Sequence, residues 1–156
     1  MLKKPKYYWD TCIFLALLKD EPMSKEDKQG LIDVVKEIDS CRAILITSVQ
    51  TLTEIQEANL TNDQIHHLEL SLKKPSTAKI NIDLRVAELA GQIRSHYNQQ
   101  GLKVTTTDAI HLATAFLHKA DELHTFDLKM LRFNGNLMGL NLKICKPTTK
   151  QLGLPF

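Results

Sequence analysis

The chain has 156 residues, of which 43% are apolar and 24% charged, with a formal net charge of +2. That balance excludes a disordered or fibrous chain, and the length suits one domain over residues 1–156 that buries roughly two thirds of its unfolded surface. Nothing approaches the roughly 18 consecutive apolar residues of a membrane span, and MLKKPKYYWDTC reaches Asp10 before any long apolar run, so a cytoplasmic protein without a signal peptide is expected.

In chain order, KYYW (6–9) reads as a short strand and TCIFLALLKD (11–20) as a helix, with Pro22 breaking the chain after it. Ser24 is placed to cap a second helix, with Glu26 and Asp27 in its first turn and Leu31, Val34, Val35 and Ile38 at helical spacing. AILIT (43–47) is a continuous apolar run of strand length, the mark of a strand buried on both faces. Ser48 then opens a helix carrying Val49, Leu52 and Ile55, and Thr61 opens another that runs through Leu72. TAKINI (77–82) is a third strand, followed by a long helix capped by Asp83 and stopped at Gly101, the residue best suited to a left-handed C-terminus. Thr105 to Thr107 lead into TTTDAIHLATA, an apolar helical pattern; ELHTF (122–126) is a fourth strand, DLKMLRF a short helix and LKICK (142–146) a fifth strand. Strands alternating with helices predict a three-layer α/β/α sandwich around a parallel sheet of four to five strands.

Open α/β sheets bind ligands at the carboxyl ends of their strands. Asp10 ends the first strand, Asp127 follows the fourth, Asp108 begins a helix after a polar loop, and Glu54 lies about two turns into the helix after the second strand. Each alone is also explained as a helix cap, a dipole partner or an exposed helix residue. Together they would repel one another unless protonated or neutralised by a cation. Hard oxygen ligands select Mg²⁺ or Mn²⁺, which bind through a few carboxylates plus substrate phosphates, so the expected chemistry is phosphodiester hydrolysis. The hydroxyls of Thr11, Ser48 and Thr125 are candidates to orient those carboxylates, or to act only as caps.

The remaining chain is basic: taking the four acids from 18 leaves 14 against 20 Lys and Arg, a remainder of +6 that favours a polyanion. After Asp127 come Lys129, Arg132, Lys143, Lys146 and Lys150 and no acid. Lys129 and Arg132, one short turn beyond Asp127, are the candidates for phosphate contacts, with a solvated surface as the plain alternative. Cys12, Cys41 and Cys145 lie far apart without a CxxC pair, which argues for reduced, structural thiols and against a disulfide framework or a zinc site. Among six histidines only His111, three residues beyond Asp108, falls near the proposed site, and a packing or surface role is expected for it. Tyr8 and Trp9 should face opposite sides of their strand and pack in the core.

YYWDTCIFLALL, TEIQEA, TTDAIHLATA and LHTFD, in this order and spacing, resemble the motifs of PIN-domain ribonucleases, especially VapC-type toxins of toxin–antitoxin pairs. The resemblance implies a Mg²⁺- or Mn²⁺-dependent endoribonuclease, a homodimer, and a small antitoxin whose C-terminal segment enters the active-site groove. By position it assigns the four acidic residues to Asp10, Glu54, Asp108 and Asp127, and the family's Ser/Thr positions to Thr11 and Thr125. Cys12 stands where a small polar residue is common, and Asp127 lacks the further acid that some relatives carry. Two other readings compete: a non-cleaving PIN scaffold that binds RNA or a partner, and a phosphoacceptor or phosphatase. The latter usually needs an acid beside the first aspartate, where this chain has Thr11 and Cys12.

Overall fold

The computed structural model describes residues 3–149; Lys150, the last of the basic tail, lies outside the described residues. The elements run β1 (Lys6–Trp9), α1 (Thr11–Leu18), α2 (Lys25–Asp39), β2 (Ile44–Ser48), α3 (Gln50–Gln56), α4 (Asn62–Leu72), β3 (Thr77–Ile80), α5 (Leu84–Gln99), α6 (Thr106–Leu117), β4 (Glu122–His124), α7 (Leu128–Leu131) and β5 (Ile144–Cys145). The five strands form one sheet in the order β3-β2-β1-β4-β5, and every pairing is parallel. Because β2 and β3 extend the sheet to one side of β1 while β4 and β5 extend it to the other, the order reverses between β1 and β4. That is where such a sheet opens a crevice.

Alternation along β1 divides the core into two layers. Tyr8 is fully buried with Val86, Ile93, Ala109, Leu112, Leu123 and Ile144, the side covered by α5 and α6. Tyr7 and Trp9 point the other way, into Ile13, Phe14, Leu31, Val34 and Leu68 of α1, α2 and α4. The predicted three-layer sandwich is therefore the observed one. Small residues in α6, with Ala109, Ala113 and Ala115 all at 0% exposure, let that helix lie close against the sheet.

Local chemistry explains the helix ends. Ser24 accepts from the Asp27 amide, Asp83 from that of Val86, and Thr61 forms a reciprocal capping box with Gln64. Gly101 adopts φ 77°, and the bonds from its own amide to Asn98 and from Leu102 to Tyr97 close α5 in a Schellman motif. Several expectations shift: the fourth and fifth strands shorten to Glu122–His124 and Ile144–Cys145, and the first helix ends at Leu18. Ser48 is the last residue of β2 and not a helix cap, although its Oγ still accepts from the Gln50 amide at 3.1 Å. The third strand stops at Ile80, because Ile80 already pairs with the final residue of β2 and nothing remains beside Asn81.

The segment after β5 crosses α2 at Gly30, where an added Cβ would stand 2.3 Å from the Pro147 carbonyl oxygen. Since that neighbour is backbone, Gly30→Ala is expected to destabilise the protein by about 1–3 kcal/mol, the usual cost of overpacking. Thermal unfolding of the variant checks this; an unchanged midpoint would show that the crossing is loose.

Candidate active site

At the β1 end of the crevice Asp10 is 6% exposed. It occupies the N-cap position of α1, yet its carboxylate makes no cap bond. Instead the Thr125 hydroxyl donates to Oδ2 at 2.6 Å and the Cys12 thiol donates to Oδ1 at 2.8 Å. Thr125 follows β4, so its bond ties together the two strands that flank the reversal of strand order. Burial pushes the Asp10 carboxyl above the usual carboxylate range, despite the opposing effects of His111, Cys12 and Thr125. Burial, reinforced by the Asp10 charge, likewise pushes the Cys12 thiol well up, so it stays protonated and donates. The cysteine thus supplies the hydrogen bond that a small polar residue would give.

Glu54 reaches the same region from α3. Its Oε1 accepts from the Thr11 hydroxyl at 2.8 Å and lies 2.5 Å from His111 Nε2. Partial burial alone would raise its pKa; the His111 and Thr11 bonds outweigh that and hold it below the ordinary value. His111 Nδ1 in turn meets the Tyr8 hydroxyl at 2.5 Å. Ser48, a candidate to orient a carboxylate or to cap, bonds the Gln50 amide and, among the described residues, no carboxylate. Nor is His111 a surface or simple packing residue, being 2% exposed with both ring nitrogens engaged at the site. The available signal was its i, i+3 spacing from Asp108, which puts both on one face of α6.

Asp108 is not the cap of α6. Thr105 holds that position and accepts from the Asp108 amide at 3.1 Å, leaving Asp108 third in the helix with its carboxylate partly buried. Burial, with the charges of Asp127 and Glu54, raises its pKa against the pull of the Thr105 hydrogen bond and of His111. Asp127 does cap a helix, since its Oδ1 accepts from the Lys129 amide at 2.9 Å, while its own amide donates to Thr125 Oγ1. One carboxylate oxygen of Asp127 is thus committed to α7.

These four acids share a rim without closing on one point. Among the described residues the trio whose ligand atoms all lie within 4.8 Å is instead Glu122, His124 and Cys145, which lies on the Tyr7 and Trp9 face of the sheet. That trio is poorly disposed to a metal. The Trp9 indole N–H, which can only donate, points at His124 Nδ1 from 3.2 Å, so the ring proton sits on Nε2, the nitrogen 3.7 Å from Glu122 that would have to ligate. The rim acids are a better donor set for a hard cation: all are oxygen ligands, and burial at Asp10, joined at Asp108 by repulsion from Asp127 and Glu54, disfavours charge that a cation would stabilise.

The basic candidates are less pointed. Lys129 is exposed on α7, whereas Arg132 donates to the Lys103 carbonyl at 3.3 Å and stacks 4.7 Å from the centre of the Phe133 ring. Both lie next to Asp127 along the chain, and the guanidinium keeps further N–H groups for a phosphate. No helix among the described residues is long and apolar enough to cross a membrane.

The PIN domain family matches residues 7–136 of the chain. No curated protein sequence matches it. Among solved structures, VapBC2 from Rickettsia felis bound to a promoter DNA fragment is similar with a TM-score of 0.68 and 17% identity, over 89% of this chain and 98% of that one. DNA-bound VapBC from Salmonella typhimurium gives 0.67 and 18%, over 90% and 98%. Mycobacterium tuberculosis VapC20, described as a sarcin-ricin loop cleaving toxin, gives 0.62 and 12%, over 86% and 98%. At these identities the structures speak for the fold alone, but the family match takes in β1 to α7 and every acid of the rim: the chain belongs to the PIN domain family.

Proposed function

We propose that this protein is a divalent-metal-dependent endoribonuclease acting as the toxin of a toxin–antitoxin pair, with Asp10, Glu54, Asp108 and Asp127 holding Mg²⁺ or Mn²⁺. The observation that carries the reading is placement: Asp10 at the end of β1, Glu54 beside it through Thr11, and Asp108 at the start of α6 line the rim where the strand order reverses, and burial disfavours the charge of Asp10 and Asp108. When bound, such an ion would make a water nucleophilic at neutral pH and neutralise charge on the scissile phosphate. The chain's own residues supply the rest. Thr125 and Cys12 fix both oxygens of Asp10, Thr11 and His111 fix Glu54, and Thr105 and Asp127 hold the starts of α6 and α7. Lys129 and Arg132 are the proposed phosphate contacts, and the net basic remainder of the chain draws in the polyanion.

The partner is proposed to be a small antitoxin, in line with similar solved structures that are VapBC and FitAB assemblies. A homodimer and a cytoplasmic location belong to the same proposal. The test is purified protein on structured RNA with Mg²⁺ or Mn²⁺ against EDTA. Metal-dependent fragments are expected. Equal cleavage in EDTA would overturn the metal role, and RNA binding that ignores chelation without fragments would make the protein a non-cleaving binding module.

A further inference from the structure

His111 sits in α6 among Leu112, Ala113 and Ala115, at a position where an apolar side chain would pack at no polar cost. Burying an imidazole there is unfavourable unless its nitrogens are satisfied. Both are, and by different kinds of partner. Glu54 Oε1 is a carboxylate oxygen and can only accept, so the ring proton sits on Nε2, 2.5 Å from it; Nδ1 is then the acceptor, and the Tyr8 O–H donates to it. Thr11 donates to the same oxygen. With two donors converging on Oε1, Oε2 is the oxygen left to meet a cation. The chain Tyr8, His111, Glu54 therefore runs in one donor direction, from the floor of the sheet to the rim.

We propose that His111 is a positioning residue, whose Nε2–H fixes the Glu54 carboxylate at the rim and whose tautomer is held by the Tyr8 hydroxyl on Nδ1. This rests on the reading of Glu54 as a metal ligand. It follows that the histidine acts on metal affinity through Glu54 and need not touch RNA or ion. Groups that orient a ligand in this way typically govern 10–100-fold in affinity, roughly the effect expected here.

The experiment measures Mn²⁺ binding to the metal-free protein by electron paramagnetic resonance, well below the unfolding midpoint, for the wild type, Glu54→Gln, His111→Leu, His111→Gln and Tyr8→Phe. His111→Leu should weaken Mn²⁺ binding by about 10–100-fold, and His111→Gln, which keeps an N–H donor at that place, should recover most of it. Tyr8→Phe should fall between, because Nδ1 loses the donor that holds the tautomer. A purely structural histidine would instead lower the unfolding midpoint and leave Mn²⁺ affinity alone. If Glu54→Gln binds Mn²⁺ as the wild type does, the reading of Glu54 fails and takes this proposal with it. If Glu54→Gln weakens binding but His111→Leu does not, only the role of His111 is overturned. Should His111→Leu fail to fold, wild-type Mn²⁺ affinity in Tyr8→Phe, against weakened binding in Glu54→Gln, overturns the directed chain.

Discussion

Asp10→Asn is expected to abolish RNA cleavage while making the metal-free protein more stable. The carboxyl's folded pKa lies above that of the unfolded chain because burial disfavours its charge. Such a group binds more protons folded than unfolded, so stability falls as pH rises through the window between the two values, and the full penalty applies above it. Asparagine carries no charge, and the Thr125 hydroxyl and Cys12 thiol can rotate to meet its amide. In EDTA at neutral pH the variant should therefore melt above the wild type, and the gap should close as pH drops below about 4, the ordinary carboxylate value. Added Mn²⁺ should raise the wild-type midpoint with the logarithm of its excess over the dissociation constant and leave the variant nearly unmoved. Loss of cleavage should reach about 10³-fold, equivalent to ~4 kcal/mol of transition-state stabilisation, within what metal-borne charge neutralisation supplies. A variant that melts below the wild type in EDTA, or that still cuts, would remove Asp10 from the proposed chemistry.

The opposed signs of stability and activity at Asp10 also explain what was legible in the sequence. The strands announced themselves through burial: KYYW and AILIT are apolar because β1 and β2 lie in the middle of the sheet, and their observed bounds differ from the pattern by a residue at most. Helix starts at Ser24, Thr61 and Asp83 were readable because a cap is a contact three residues away. The strand-end acids Asp10 and Asp127 were readable for a similar reason, since the sheet topology alone brings strand ends to one rim. What could not be read is contact across long separations. His111 is 57 residues from Glu54 and 103 from Tyr8, and no periodicity records either bond. Ser48 looked like a cap because its hydroxyl meets a local amide, that of Gln50, and the strand's extent through Ser48 is set by pairing with Ile80. The Cys12 thiol, too, becomes a donor only once Asp10 is buried beside it.

Thr105 and Asp108 offer the clean separation of capping from chemistry, because three successive threonines left open which residue starts α6. Thr105 does, and Thr105→Ala should cost about 1 kcal/mol, the usual worth of an N-cap. In a chain of this size that is roughly 2–4 °C in unfolding midpoint. Cleavage should stay within a few-fold of wild type, since Thr105 touches Asp108 and no other acid of the rim. Asp108→Asn should do the reverse. The variant forgoes the favourable charge near the helix start, about 0.3–1 kcal/mol. It is also spared the burial of that charge and its repulsion by Asp127 and Glu54, so the midpoint should move little. Cleavage should nevertheless fall by about 10³-fold, as for Asp10. Circular dichroism melts and a fluorescent RNA cleavage assay on the two variants decide the matter together. If Asp108→Asn melts early and cuts normally, the residue is a helix-start group and the rim loses one of its four acids; if it melts normally and does not cut, its carboxylate serves the reaction and Thr105 alone serves the helix.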